Sequence, residues 1–232
     1  MSTSDQFVDT KISSQQRLLV SLAEDLKLPL LQIAREAELA QTGSLEQVRA
    51  IAEHALWLVD SLLLVQTVKQ EQLALEPVTV SSMLYDVAHV LDTIAKQYDC
   101  KLDLDIAGKF VPVMANRQLL ESAFVGIGGA VIAAQVEQKK TITFSAHRTS
   151  AGIVAGCYSD MSGLNETLLK RGRVLYGKAR QPLKDFTAQS GAGVFIADAL
   201  LEAMQVRLRT ARHHGRQGLA VTLLPSSQLA LV

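Results

Sequence analysis

Two features near the end of the chain have residue types suited to binding phosphate. Gly191 and Gly193 open a predicted helix, and glycines let backbone N–H groups at a helix amino terminus come close to phosphate oxygens. The preceding segment 165–189 is basic, with Lys170, Arg171, Arg173, Lys178, Arg180 and Lys184. Cationic side chains form strong hydrogen bonds to phosphate. The two glycines either bind a phosphate or serve only to start the helix. The basic segment either contacts phosphates or is a solvated surface loop.

The histidines are scattered along the chain. His54 lies one residue off an apolar helical seam, where a structural or exposed histidine is favoured over a phosphate acceptor. His213 and His214 fall in a predicted hairpin turn, whereas His89 and His147 fall on a helix flank and at a strand end. We expect no ligand cluster among them, and therefore no metal site.

Composition excludes several functional classes. The chain has 232 residues, 48% of them hydrophobic, and 23 acidic residues balance 23 basic ones. Because the chain has no net charge, its overall charge does not favour binding to nucleic acid or to an anionic membrane. Cys100 and Cys157 are far apart, which argues against a disulfide framework or a zinc site and predicts two buried thiols. The first ten residues do not resemble a secretory signal, and no apolar run is long enough to span a bilayer, so we expect a cytoplasmic protein.

The first part of the chain is predicted to be a helical hairpin. After a disordered segment 1–14, apolar residues recur at spacings of three and four, which indicates a helix interrupted by Pro29. A turn at Gly43 leads to a second helix with a heptad-like seam: Val48, Ile51, Ala55, Leu58, Leu62 and Val65. A hairpin alone exposes its apolar stripe. Pairing with a second copy in a four-helix bundle buries it, so segment 15–75 is predicted to be a dimerisation domain.

A second domain is predicted over residues 76–232, after a polar boundary at 70–79 that contains Pro77. Helices are expected at 80–98, 117–135 and 194–204. Strands are expected at 101–106, 111–114, 141–147 and 152–158, with a final hairpin of 205–211 and 219–224 across a turn at 213–218. This order suits an α/β sandwich with helices on one face of a mixed sheet, so the whole chain is expected to be α+β.

The element order and several motifs resemble sensor histidine kinases from about residue 15 onward. The motif that resembles the phosphoacceptor segment of that family is Glu24-Asp25-Leu26-Lys27-Leu28-Pro29-Leu30. Aligned on Pro29, the acceptor histidine is replaced by Glu24, and Asp25 stands where the family has its general base. A carboxylate does not form the phosphoramidate that the family's chemistry requires. The resemblance therefore implies a kinase architecture without its acceptor.

Other motifs of this family match the sequence to different degrees. The stretch around Gly191 and Gly193 resembles the second glycine box, and Asp160 with Gly163 resembles a degraded Asp-x-Gly-x-Gly loop whose aspartate contacts adenine. The helix around Gly126 has no asparagine where the family holds magnesium, a cation that prefers oxygen ligands. Gly126, Gly128 and Gly129 either leave room for a nucleotide or permit close packing, and packing is favoured.

These observations predict a histidine-kinase-like two-component signalling protein, a pseudokinase that acts as a dimeric regulator through protein contacts rather than as an enzyme. Response regulators or other signalling proteins are the expected partners, docking near residues 24–27 as the resemblance implies. No cofactor is expected. The alternative is an ATP-binding kinase or a bundle-type phosphotransferase in a phosphorelay, with Asp160, Gly163, Gly191 and Gly193 as nucleotide contacts; a dimeric scaffold unrelated to signalling is a third reading.

Overall fold

A computed structural model of the chain describes residues 55–61, 63–65, 73–134, 140–160 and 191–226. It also describes five single residues: Leu26, Ile33, Val48, Ala52 and Leu169. Residues 55–61 and 63–65 are helical, as are all five single residues. The predicted disordered segment 1–14, the acceptor position Glu24 and most of segment 165–189 lie outside the described residues.

The second part of the chain is a mixed α/β unit. Its elements in chain order are β1 (Glu76–Val78), α1 (Val80–Gln97), β2 (Lys101–Ile106), β3 (Val113–Ala115), α2 (Arg117–Ala133), β4 (Thr141–Thr149), β5 (Gly152–Ser159), α3 (Gly191–Ala203), β6 (Arg209–His213) and β7 (Arg216–Leu223). The predicted helices and the alternating strand at 101–106 are confirmed. Helix α2 starts at an N-cap, Asn116, whose side chain accepts a hydrogen bond from the Leu119 amide at 3.0 Å.

The main sheet has five strands in the order β2-β4-β5-β7-β6. β2 and β4 are parallel, and the other neighbours are antiparallel. Successive side chains of a strand point to opposite faces. Ile142, Phe144 and Cys157 belong to the same buried core as Leu91 of α1 and Ile127 of α2. All three helices contribute to this core, so they cover one face of the sheet, as predicted.

The opposite face, which we call the outer face, carries polar and small residues. Cross-strand pairing places Thr143 beside Tyr158 and Tyr158 beside Gly218 on this face. Tyr158 is fully buried there, because its ring lies over Gly156 and Gly218; a Cβ atom at Gly156 would lie 2.6 Å from the Tyr158 hydroxyl oxygen. Small residues thus let a large side chain lie flat along the sheet.

Three sequence-based expectations are corrected. The boundary at 70–79 contains strand β1, in which Pro77 pairs with Met114 of β3 in a separate two-stranded sheet. Proline is tolerated there because a strand at a sheet edge needs fewer hydrogen-bond donors. The short strand expected at 111–114 is shifted to 113–115.

The final hairpin is also displaced from its predicted position. β6 begins at Arg209 rather than at Gln205, whose φ of +59° marks the end of the preceding helix region. The turn contains only His214 and Gly215, so His213 belongs to a strand. Both turn residues have positive φ, at +46° and +80°, as a two-residue type I′ hairpin turn requires.

The helical residues 55–61 and 63–65 pack against the α/β unit. Leu58 and Val65, two residues of the predicted seam, are buried in the main core, and Trp57 packs at its margin. Leu56 and Leu63, by contrast, are 62% and 58% exposed and lie seven residues apart, on one side of the helix. Within the described residues, no helix is long and apolar enough to cross a membrane.

Candidate functional site

Helices α2 and α3 meet backbone to backbone where the resemblance predicts a nucleotide cleft. A Cβ atom on Gly126 would lie 2.6 Å from the carbonyl oxygen of Gly193 and 2.9 Å from Cη2 of Trp57. A Cβ atom on Gly193 would lie 2.8 Å from the carbonyl oxygen of Gly126. Both glycines are therefore required by close packing, and there is no space for even a methyl group between them.

Gly128, two residues further along α2 and on another side of the helix, has the same role against α1 and the sheet. A Cβ atom there would lie 2.4 Å from Cδ1 of Leu91 and 2.6 Å from Cζ of Phe144. The glycines of this helix thus let α2 sit close to α1, α3 and β4. This geometry supports packing, the favoured explanation for Gly126 and Gly128.

Asp160 follows β5, and its carboxylate lies toward the outer face. Its Oδ1 atom is 3.7 Å from Nε of Arg216, and the same guanidinium donates a hydrogen bond to Oγ1 of Thr143 at 2.6 Å. Thr143 shares its face with Tyr158, on the side of the sheet away from the helices. The helix-facing position at the end of β5 belongs instead to Ser159, which is fully buried.

Only some of the remaining predicted site residues lie in the part of the chain that the structure describes. Gly191 is the first residue of α3, as expected for a glycine at a helix start. Gly163 lies outside the described residues, as do Glu24, Asp25 and His54. The structure therefore brings Gly191 and Gly193 together on α3, and it places Asp160 with Arg216 on the other side of the sheet.

A second group of polar residues lies on the outer face. Nε2 of His213 is 2.7 Å from Oδ2 of Asp105, and Nε2 of His214 is 3.3 Å from the same oxygen. The His147 ring stacks on His213 with centroids 5.5 Å apart and an angle of 14°, and the Tyr158 ring lies 5.1 Å from His213. We call Asp105, His213 and His214, with the flanking His147, the histidine cluster.

The histidine cluster joins the two edges of the sheet. Asp105 is on β2 and His213 is on β6, the first and last strands in the sheet order. In a flat sheet, four strand spacings of about 4.8 Å would separate these strands by about 19 Å. Direct contact between the two side chains therefore means that the sheet curls toward its outer face.

Titration in this cluster reflects burial and neighbouring charge. A hydrogen bond with His213 lowers the pKa of Asp105, against a smaller opposing effect of burial. Burial lowers the pKa of His147, and the positive charge of His213 lowers it further. Burial raises the pKa of Tyr158 and that of Cys157, in line with the expected buried thiols.

The expectation that the histidines form no ligand cluster is wrong. Asp105, His213 and His214 each offer a ligand atom, and these atoms lie within 4.8 Å of one another. Sequence reasoning missed the group because Asp105 is 108 residues from His213, and contact depends on sheet curvature. The available clue was Gly215, because glycine favours the positive φ of a two-residue hairpin turn and so indicates a tight turn beside the adjacent histidines.

Solved histidine kinase structures resemble this chain. The Acinetobacter baumannii histidine kinase AdeS is 15% identical over 90% of this chain and 97% of its own, with a TM-score of 0.54. The catalytic domain of histidine kinase ThkA is 10% identical over 66% of this chain and 96% of that domain, with a TM-score of 0.51. ShkA, solved at full length in complex with AMPPNP, is 16% identical over 92% of this chain, with a TM-score of 0.56.

These similarities define a histidine-kinase-type fold, in which the five-stranded sheet and its helices match the ATPase domain. The match covers 47% of ShkA, so this chain spans about half of that protein. No protein-family model and no curated protein matches the sequence. At these identities the comparisons establish the fold alone.

Proposed function

We propose that this chain is a histidine-kinase-like two-component signalling protein that has lost kinase activity and acts as a dimeric regulator through protein contacts. The chain keeps the order and packing of the ATPase-type unit. It lacks an acceptor histidine at Glu24 and an asparagine along α2 between Arg117 and Ala133. Without an acceptor and a magnesium ligand, phosphoryl transfer has neither nucleophile nor charge neutralisation.

The observation that carries this proposal is the position of Asp160. The resemblance requires an aspartate that contacts adenine in the cleft on the helix side of the sheet. The Asp160 carboxylate instead lies near Arg216 on the outer face, and buried Ser159 takes the helix-facing position. A one-residue offset along a strand moves a side chain to the opposite face, so this carboxylate is poorly placed for adenine.

Packing between α2 and α3 supports the same proposal. Gly126 and Gly193 are in direct backbone contact, with Trp57 against Gly126. Close packing thus explains Gly193, the second glycine of the box, and no bound phosphate is needed to explain it. Gly191 is the first residue of α3, and helix amino termini are common sites of anion binding.

Exposed apolar residues on the helical segment support dimerisation. Leu56 and Leu63 form an apolar stripe on the side of the helix that the α/β unit leaves uncovered. Burying such a stripe against a second copy is the arrangement of a four-helix bundle. In that dimer, the residues near 24–27 remain the proposed docking site for a response regulator.

The alternative function is ATP binding without transfer. Its support is the helix start at Gly191 and the retained fold. Asp160 is exposed, and its carboxylate lies 3.7 Å from Arg216. ATP binding through Asp160 therefore requires this carboxylate to move away from Arg216.

A nucleotide titration separates the two functions. Trp57 is the only tryptophan of the chain and lies against Gly126, so its fluorescence reports on entry into the cleft. A non-hydrolysable ATP analogue is added to the full chain with magnesium and, separately, with a chelator. We expect no saturable, magnesium-dependent change in fluorescence and no heat of binding by calorimetry.

A pair of variants makes the result specific to Asp160. Asp160→Asn removes the proposed adenine contact, and Asp103→Asn removes an exposed carboxylate of β2 as the matched control. Under our proposal both variants behave as the wild type does. Magnesium-dependent binding that Asp160→Asn abolishes and Asp103→Asn retains contradicts the proposal and supports the alternative.

A further inference from the structure

We propose that Asp105, His213 and His214 bind a divalent transition-metal ion, with zinc as the best fit. The three side chains supply one carboxylate oxygen and two imidazole nitrogens, and all three atoms lie within 4.8 Å of one another. This site is on the outer face, away from the cleft between α2 and α3. The inference is therefore independent of the proposed signalling function.

The distances suit zinc coordination after small movements of the side chains. Zinc bonds of about 2.0–2.2 Å in a tetrahedral arrangement place neighbouring ligand atoms about 3.3–3.5 Å apart. Oδ2 of Asp105 lies 2.7 Å from Nε2 of His213 and 3.3 Å from Nε2 of His214. An ion entering between them has to widen the shorter of these two distances, while the two imidazole nitrogens already lie within 4.8 Å of each other.

Exposure allows an ion to enter and leaves room for one more ligand. The His213 side chain is 16% exposed, that of Asp105 is 41% exposed and that of His214 is 79% exposed. The site is thus closed on the side of the sheet and open toward solvent. Three protein ligands with an open fourth position, which water fills, are a common zinc arrangement.

The ligand types select the kind of metal. Imidazole nitrogen favours zinc, copper and nickel, whereas magnesium and calcium prefer sites built from oxygen atoms. The histidine cluster offers only one carboxylate among its three ligands. Magnesium is therefore a suitable negative control.

The hairpin turn brings two consecutive histidines to the same carboxylate. In a regular strand, neighbouring residues point to opposite faces. His214 escapes this rule because it occupies the first position of the type I′ turn, with a φ of +46°. Asparagine, aspartate and glycine are the usual residues there, and histidine is also among the non-glycine residues enriched at positive φ.

Neighbouring rings hold the buried ligand in place. His213 contacts the stacked ring of His147 and the tilted ring of Tyr158. The Nδ1 atom of His147 is buried and has no hydrogen-bond partner among the described residues. Contact with these two rings restricts the orientation of the His213 imidazole.

A bound ion would connect the first strand of the sheet to the last. Because the unfolded chain does not hold these three residues together, an ion that binds them stabilises the folded state. The expected consequences are one high-affinity zinc ion per chain and a higher Tm in its presence.

The test uses the full chain, free of any affinity tag and treated with a chelator that is then removed. Zinc chloride is titrated by calorimetry at about pH 7.5, where most imidazoles are neutral. His214→Asn removes a ligand but keeps the turn, because asparagine accepts positive φ. His213→Gln and Asp105→Asn remove the other two, and His89→Asn, on the exposed side of α1, is the matched control.

We expect the wild type and His89→Asn to bind one zinc ion and gain Tm with zinc but not with magnesium. Loss of a supporting neighbour of a metal ligand typically lowers affinity about 10- to 100-fold, and loss of a ligand should cost at least that much in each cluster variant. Equal zinc affinity in His214→Asn and His89→Asn overturns the proposal, as does a wild type without stoichiometric zinc. If another variant fails to fold, the zinc affinity of His214→Asn, compared with that of His89→Asn, alone tests the proposed site.

Discussion

Gly126 and Gly193 face each other across the contact of α2 and α3, and the carbonyl oxygen of each lies where a Cβ atom of the other would be. Neither side can relax by rotating a side chain, because both contacts are with backbone atoms. This relationship explains the absence of larger residues at both positions. It also means that the glycine box of this chain has a packing role in the ATPase-type unit.

Gly126→Ala should destabilise the protein. Alanine improves helix propensity by about 1 kcal/mol, whereas overpacking a tight core costs about 1–3 kcal/mol. We expect a net loss of up to about 2 kcal/mol and a Tm decrease of about 2–4 °C for each kcal/mol lost. Ser122→Ala, a half-buried position on the same helix, is the control and should leave Tm nearly unchanged. A Gly126→Ala protein as stable as the wild type, with unchanged Trp57 fluorescence, contradicts the packing described.

The histidine cluster should make stability depend on pH in the absence of metal. Burial lowers the pKa of His147, with help from the charge of His213, so the folded state favours its neutral ring. Below the ordinary histidine pKa of about 6.5, the unfolded chain then binds more protons than the folded one, and stability falls as pH drops. Asp105 does not contribute in this window, because its pKa is lowered from a value already near 4.

His147→Gln should therefore reduce the loss of Tm between about pH 7.5 and about pH 5.5, a range that brackets the ordinary histidine pKa. Thermal unfolding with a chelator present measures this difference. His89→Gln serves as the comparison, since His89 is exposed on α1 and far from the cluster, and it should keep the wild-type dependence. If both variants show the same pH profile, burial of His147 is not the cause.

Leu63→Glu should weaken dimerisation without unfolding the α/β unit. Leu56 and Leu63 are exposed, so a charge there costs little in the monomer but is expensive inside a helical bundle. We expect the dissociation constant of the dimer to rise at least about tenfold, which corresponds to about 1.4 kcal/mol. Light scattering after size-exclusion chromatography gives the mass. Val90→Glu, an equally exposed apolar residue of α1, should leave the mass unchanged.

Sequence reasoning was most accurate where local periodicity decides structure. Strand β2 alternates charged and apolar residues from Lys101 to Ile106, and its bounds match the prediction. Helix α1 has a continuous buried stripe and was predicted to within one residue. In such segments the pattern of burial is visible in the sequence itself.

Features that depend on distant partners were missed. Strand β1 contains Pro77 and a polar neighbour, so its pairing with β3 leaves no periodic signal. The histidine cluster needs contact between β2 and β6, the first and last strands of the sheet, and no local sequence pattern predicts that contact. The outward direction of Asp160 depends on the register of β5, and a shift of one residue reverses it.

We propose that this histidine-kinase-type fold does not transfer phosphate. The most direct measurement incubates the purified full chain with magnesium and γ-labelled ATP, beside an active histidine kinase as the positive control, and detects label that remains bound to the protein. Our account predicts no label on the wild type. It predicts none on Glu24→His either, because restoring the acceptor does not restore the missing asparagine of α2. Phosphate covalently bound to either protein, stable to alkali and labile to acid as a phosphohistidine is, would contradict the account.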